Sequence, residues 1–485
     1  MSLNQIVGRH KEKEILNRVL QSKEAEFVAV YGRRRVGKTH LIREFFGDAI
    51  CFEIVGLHGV TLPEQLDNFA RSLNRAIGLG IQPQRPSSWS EAFQQLEKYL
   101  QSLKQRGIKN RRVVFLDELP WLNTPRSRFI SSLEHFWNTW ASQQKDLILV
   151  ICGSAASWML QNIVKAKGGL HNRLTSQIRL LPFTLGETEK YLLSRGVELT
   201  HLQVVELYMA IGGVPHYLKQ AEPGMSSSQI LDKLCFSSSG QLRDEFEKLY
   251  ASLFDDYKQH LSIVKSLAQK RKGMTRNEIL KRTGLTSGGS ISHRLEELEE
   301  SGFIQSVVPF GKRTKDALYR LSDEYSLFYL DWIRKLGKRS PGDGYWLLQQ
   351  NKPLRNNWSG YAFENLCLKH VQKLKSGLGI EKVETTESPW HYYSSPNAEM
   401  PGVQIDLLID RRDDTINVCE MKYSGSEFII NKKYAAILRQ KLDVLRRVTG
   451  TRKNLFLTMV TTFGCANNLY AKELVAHSLT IEDLF

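Results

Sequence analysis

Short unbroken apolar runs mark the first part of the chain: FVAVYG from Phe27, VVFLDE from Val113 and LILVICGS from Leu147. Such runs between polar turns are strands buried on both faces, as parallel sheets require. THLIREFF, which follows the first run, has apolar residues at helical spacing. From about 256 to 322 the pattern changes. DYKQHLSIVKSLAQ, TRNEILKRTG and SGGSISHRLEELEESG read as three helices, and FIQSVVPFGKRTKDALYRL reads as a hairpin. The turn TGLTSGG and the two strands flanking GKRTKD have the lengths of a winged helix-turn-helix. An aromatic helix, LYRLSDEYSLFYLDWI, and the Gly/Pro-rich linker GKRSPGDGYW come next. From 358 the order is helix (WSGYAFENLCLKHVQKL), three strands, helix (KKYAAILRQKLDVLRRV) and strand (NLFLTMVTT).

A chain of 485 residues exceeds one ordinary core, so about two to four domains are expected. Hydrophobic residues make up 41% and charged residues 24%, which excludes a disordered or membrane-embedded composition. The 67 Lys+Arg against 51 Asp+Glu leave a formal net charge of +16, suited to a polyanionic partner such as DNA. MSLNQIVGRHKEKEIL carries no apolar leader and no stretch is long enough to cross a bilayer, so a cytoplasmic protein without membrane contact is expected. The six cysteines are scattered without CxxC spacing, against zinc or a disulfide framework.

The first candidate chemistry lies between the first strand and its helix, in Gly32, Arg33, Arg34, Arg35, Val36, Gly37, Lys38 and Thr39, with His40 next. This is a Walker A loop in its required strand–loop–helix context. The glycines let backbone N–H groups turn toward phosphates at the positive end of the helix. Lys38 is expected to reach the β/γ-phosphates of ATP and Thr39 to ligate magnesium. VVFLDE delivers two carboxylates at the end of a buried strand, Asp117 for the magnesium and Glu118 to orient and deprotonate the attacking water. Ser154, at the end of the third run, is placed to sense the γ-phosphate or simply to turn the chain. Arg173, in HNRLT, is read as a charge stabilising the transition state, with an ordinary surface arginine as the other reading.

The second candidate chemistry is QIDLLID at 404–410 with CEMK at 419–422. Alternate residues of a strand share a face, so Glu420 and Lys422 are expected to point together toward Asp406 on the neighbouring strand while Met421 turns to the core. Asp406 and Glu420 would bind a hard divalent cation, with magnesium expected, and Lys422 would help activate a hydrolytic water. Arg439, Gln440 and Lys441 on the next helix either contact substrate phosphates or form a solvated face. In the winged helix, Ser290, Ser292, His293 and Arg294 are candidate base contacts and Lys312, Arg313 and Lys315 candidate phosphate contacts, although EELEE makes the third helix acidic.

VGRHKEKEIL, the Walker A string, LDELPWL, CGS, HNRLT and GGVPHYL together resemble the archaeal-type ATPase family, in the STAND branch of AAA-related P-loop NTPases. The resemblance implies a P-loop ATPase domain (1–184), a helical lid (185–255), a winged helix-turn-helix (256–322), a helix and linker (323–357) and a restriction-endonuclease-like α/β domain (358–485). It also implies that Gly213 and Pro215 touch the nucleotide. The C-terminal pattern resembles PD-(D/E)XK nucleases in Asp406, Glu420 and Lys422, with Glu364 as the upstream acid and Ile405 in place of the usual proline. The expectation is thus an α/β multidomain protein using ATP and Mg2+ to regulate DNA binding and cleavage, in defence or mobile-element maintenance, with nucleotide-dependent self-assembly. The alternative is an ATP-driven switch or transcription factor whose nuclease-like domain binds DNA without cutting.

Overall fold

The computed structural model describes residues 6–78, 84–105, 111–165, 172–254, 256–337, 341–342, 344–350, 352–394 and 400–485. Parts of the expected linker (338–340 and 343) and His171 of HNRLT lie outside them. The chain divides into two compact units, Met1–Pro182 and Phe183–Phe485.

The first unit is built on five strands: β1 (Glu26–Tyr31), β2 (Ile50–Val55), β3 (Arg112–Asp117), β4 (Leu147–Gly153) and β5 (Ser176–Arg179). All pair in parallel, in the order β2-β3-β4-β1-β5. Period-two alternation explains why the runs are apolar throughout. Phe27, Ala29, Leu149 and Ile151 join one core cluster, and Val28, Val30, Ile148 and Val150 join the other. Arg112, buried at the start of β3, is neutralised by a two-pronged contact with Asp146, at 2.7 and 3.0 Å. β4 lies between β1 and β3, so the residue after its end is flanked by the ends of both neighbours.

The second unit has one large apolar cluster with members from Phe183 to Leu484 and two smaller ones where the helix Lys432–Thr449 meets the C-terminal sheet. Its first part is helical and includes His201–Ile211. Helices Tyr257–Gln269, Arg276–Thr283 and Gly289–Glu300 follow, then the antiparallel hairpin of β6 (Ile304–Val307) and β7 (Leu318–Leu321). Met274 bridges to Tyr319 and adds a third rung beside β7. After the helix Pro353–Lys369 come β8 (Thr385–Tyr392), β9 (Val403–Arg411), β10 (Thr415–Lys422), β11 (Asn454–Thr461) and β12 (Val475–Leu479). They form a mixed sheet in the order β12-β11-β10-β9-β8, with the helix Lys432–Thr449 between β10 and β11. Asp406 falls inside β9. Among the described residues, no helix is long and apolar enough to cross a membrane.

The chain end is fastened to the helical part of this unit. His201 contacts Glu189 at 2.8 Å and Glu482, and its ring stacks on Phe485 with centroids 4.0 Å apart. Partial burial opposes protonation of His201, but the two carboxylates outweigh it and raise the pKa above the ordinary histidine value. A raised folded-state pKa stabilises the protein fully below the unfolded value, and the gain is lost as pH rises through the folded value. The Tm penalty of His201→Gln is therefore expected to be largest near about pH 6 and to shrink by about pH 9, as followed by thermal melts of both proteins.

Candidate functional site

The nucleotide corner is assembled by backbone first. Gly32 (φ 149°) presses so closely on β5 that a Cβ there would meet the Leu180 carbonyl oxygen at 2.2 Å, and Gly37 (φ 93°) turns the chain into the helix Lys38–Phe46. Lys38 is buried, and its Nζ donates to the carbonyls of Gly32 (2.9 Å) and Arg33 (3.0 Å). A buried ammonium with only neutral carbonyl partners fits an anionic phosphate. Thr39 Oγ1 donates to Asp117 Oδ2 at 2.7 Å, which sets a hydroxyl and a carboxylate together as magnesium ligation requires. Arg33 and Val36 are buried within the loop, Arg34 and Arg35 are half-buried, and His40 faces outward beside Glu44.

Glu118 sits in the left-handed region (φ 47°), and its N–H donates to Asp117 Oδ1 at 2.9 Å. Its Oε2 accepts from both the N–H (3.1 Å) and the hydroxyl (2.8 Å) of Ser154. β4 lies between the strands that carry the P-loop and the acidic pair, so Ser154 is placed to aim the glutamate. Sequence reasoning passed over Arg9, whose Nη2 donates to the Val36 carbonyl at 3.2 Å and braces the loop from the chain start. Its signal lay in VGRHKEKEIL, where a polar residue directly follows a glycine of positive φ, Gly8.

Arg173 is not brought to this corner. Ser176 pairs with Val28 in a parallel ladder, so the residues before Ser176 lie at the amino edge of the sheet. At about 3.3 Å per residue, that edge stands roughly 20 Å from the loop after Tyr31. Arg173 is exposed there, at the edge of the sheet away from the P-loop. Gly213 and Pro215 belong to the second unit. There the Phe183 N–H donates to the Gly213 carbonyl at 2.7 Å, and a Cβ on Gly213 would strike Phe183 O at 2.0 Å, so close backbone packing is what this glycine serves.

The second corner is a cleft of about 500 Å³ lined by Glu364, Asp406, Glu420, Lys422 and Lys441, among others. The β9–β10 register pairs Cys419 with Leu407, and continuing it one residue sets Glu420 opposite Asp406. Glu420 is buried. Its Oε1 accepts from Lys422 (2.8 Å) and the Tyr434 hydroxyl (3.0 Å), and its Oε2 accepts from Lys441 (2.6 Å). Asp406 Oδ2 accepts from the Met421 N–H at 3.0 Å. Glu364 Oε1 accepts from Arg320 Nη2 on β7 at 2.9 Å. Met421 is buried in the core. Burial, then Glu420, then Glu364 push Asp406 up to about 7. Burial opposes ionisation of Glu420 as well, but Lys422 and Lys441 outweigh it and hold its pKa below the usual carboxylate value. The donor set is hard oxygen and suits magnesium or manganese. Yet among the described residues no three of His, Cys, Asp or Glu are grouped to hold a metal ion.

The other candidates separate. Lys441 and Gln440 line the cleft, whereas Arg439 is exposed and paired with Glu473. On the helix Gly289–Glu300, Arg294 is tied to Asp256 (3.1 Å) and His293 lies 3.4 Å from Glu297. Lys441, Tyr434 and Arg320 are the partners that were not assigned to the carboxylates from sequence. Helical spacing of Tyr434, Ile437 and Lys441 marks the first two, while nothing local marks Arg320.

These geometries define a P-loop ATPase. Residues 6–221 match the family described as an ATPase domain predominantly from Archaea, a span that includes the P-loop, Asp117, Glu118, Ser154, Gly213 and Pro215. An uncharacterised protein of Methanocaldococcus jannaschii is 23% identical over 404 residues, 83% of each chain. Among solved structures, the chain is similar to the Walker-type ATPase of Pyrococcus abyssi (15% identity, 68% of this chain and 97% of that one, TM-score 0.49). It is also similar to the Aeropyrum pernix ORC2 protein (14% identity, 69% and 96%, TM-score 0.41).

Lys38→Ala is expected to abolish tight ATP binding, whereas Glu118→Gln keeps binding and lowers kcat by roughly 10²-fold or more. Ser154→Ala should also leave the ATP Kd unchanged and reduce kcat by less, as nucleotide titration and phosphate release will report. In the second corner, Lys441→Met and Glu420→Gln should prove non-additive in a denaturation cycle, with a coupling of roughly 0.5–3 kcal/mol.

Proposed function

We propose that this protein is an ATP-regulated DNA-binding protein whose C-terminal cleft cleaves DNA with a divalent cation. The observation that carries the reading is the convergence of Glu364, Asp406, Glu420 and Lys422, from one helix and two adjacent strands, on a single open cleft. Such a set resembles PD-(D/E)XK nucleases, and the net charge of +16 suits a polyanionic substrate. Asp406 and Glu420 would hold magnesium, which when bound supplies the Lewis acidity that polarises a phosphoryl oxygen. Lys422 orients the attacking water and offsets charge developing on the phosphate. Gln440 and Lys441 line the cleft wall on which the strand would lie.

In the first unit, Lys38 and the loop amides grip the phosphates, Thr39 and Asp117 hold magnesium, and Glu118, aimed by Ser154, takes the proton of the attacking water. The segment 185–255 acts as a helical lid and the 256–322 segment as a winged helix. Nucleotide would also drive self-assembly of the chain. The pathway is defence against foreign DNA or upkeep of a mobile element.

A second reading has its own observation. Every cleft carboxylate is held by an internal donor, and no three-residue metal group stands among the described residues, which favours a switch that binds DNA without cutting. Incubating the purified chain with linear, circular and single-stranded DNA, with and without ATP and either magnesium or manganese, separates the two. Cleavage that is lost in Asp406→Ala and Glu420→Ala while ATP hydrolysis persists supports the nuclease. Intact DNA under every condition, with normal ATP hydrolysis, supports the switch.

A further inference from the structure

The carboxylate cleft does not end at the C-terminal sheet. A second cavity of about 210 Å³ adjoins it, and the two share Lys272, Glu364, Gly402, Val403, Gln404 and Asp406 in their walls. They form one groove. Its far wall comes from the three-helix and hairpin segment, through Lys272, Leu318 and Arg320, and its near wall from β8 and β9. Two contacts fix the walls together: the Arg320–Glu364 ion pair, both side chains mostly buried, and the Phe310 N–H donating to the Pro389 carbonyl at 3.1 Å.

Lys272 differs from the other cations here. Lys422 and Lys441 are spent on Glu420, Arg320 on Glu364, and Lys270 on Glu278 at 2.5 Å. Lys272 is exposed to the groove and makes no hydrogen bond or ion pair with any described residue. Its backbone is nevertheless held. Gly273 (φ 96°) closes the turn onto the Lys270 carbonyl and is pressed so close to β7 that a Cβ would meet Arg320 at 2.9 Å and Tyr319 O at 3.1 Å. The neighbourhood is electropositive: burial, then Lys272, Lys270 and Lys312, hold His391 on β8 below its usual pKa. The stretch of wall common to both cavities thus carries two carboxylates, Glu364 and Asp406, and, on a held backbone, the uncommitted ammonium of Lys272.

We propose that the wall contributed by the three-helix and hairpin segment, where the two cavities meet, is a phosphate subsite in which Lys272 grips a backbone phosphate of the DNA strand next to the one held at the carboxylates. The winged helix then contributes to substrate binding through its turn and hairpin face, and the helix Gly289–Glu300 is not needed for it. This rests on DNA being the substrate of the cleft, as proposed above, but it does not require that the DNA be cut.

The test measures affinity of the full chain for labelled duplex and single-stranded oligonucleotides across a salt series, with calcium replacing magnesium. Lys272→Ala is expected to weaken binding roughly tenfold at low salt and to reduce the slope of log K against log salt by about 0.9 on duplex or about 0.7 on single strands, the value of one phosphate contact. Lys272→Arg should restore both, and Lys281→Ala, which removes an exposed lysine away from the groove, should change neither. Wild-type affinity and slope in Lys272→Ala overturn the subsite. A chain that binds DNA through Lys272 but cuts none with magnesium or manganese keeps the subsite and removes the nuclease. A wild-type chain that binds no DNA overturns both.

Discussion

Carboxylates gathered in one poorly solvated cleft repel one another and lose hydration, so they stay ionised only where cations are supplied. Glu364, Asp406 and Glu420 impose that demand on the second unit. The response comes from well-separated parts of the chain: Arg320 from β7, Lys422 from β10 and Lys441 from the helix Lys432–Thr449. Among the described residues Asp406 receives only a backbone N–H, and burial with the neighbouring carboxylates pushes its pKa up to about 7. The hairpin, the C-terminal sheet and its covering helix are therefore joined by electrostatics as well as by apolar packing, the helix through Ala435, Leu438, Val444 and Leu445. The same arrangement explains why the cleft suits a divalent cation without grouping three ligands. A cation entering between Asp406 and Glu420 would do the work now done by the lysines.

The first unit solves a related problem by topology. A buried Lys38 opens the helix after β1 and a buried Asp117 ends β3, and the order β3-β4-β1 sets Ser154 between the two strand ends. Thr39 and Ser154 then divide the two acids, Thr39 holding Asp117 and Ser154 holding Glu118. The left-handed backbone of Glu118 is a local strain that these bonds help to maintain. Binding and hydrolysis consequently depend on different side chains of one corner.

Much of this could be read along the chain, and what escaped has physical causes. The P-loop was legible because strand, loop and helix are contiguous, and the fully buried β1, β3 and β4 write continuous apolar runs. β2 includes Glu53, β5 has only the four residues SQIR, and β12 is the mixed VAHSL, so none of these edge strands gives a clear pattern. The position of Arg173 at the amino edge was not legible, because distance along the sequence does not say at which end of a parallel sheet a turn emerges. The Asp406, Glu420 and Lys422 set was legible from strand alternation and one tight turn. Arg320 was not, since its pairing with Glu364 joins residues 44 positions apart and depends on how the hairpin docks. The polar residues of the helix Gly289–Glu300 looked like a reading surface, but the partners of Arg294 and His293 are visible only in three dimensions.

The claim on which the account turns is that Asp406 and Glu420 form a divalent-cation site separate from the nucleotide corner. Anomalous scattering from crystals of the full chain soaked in manganese, with nucleotide present, addresses it directly. The account predicts two peaks, one beside Thr39 and Asp117 and one between Asp406 and Glu420 with Lys441 displaced from Glu420. A peak at the nucleotide corner alone, with Lys441 still bound to Glu420, would contradict it.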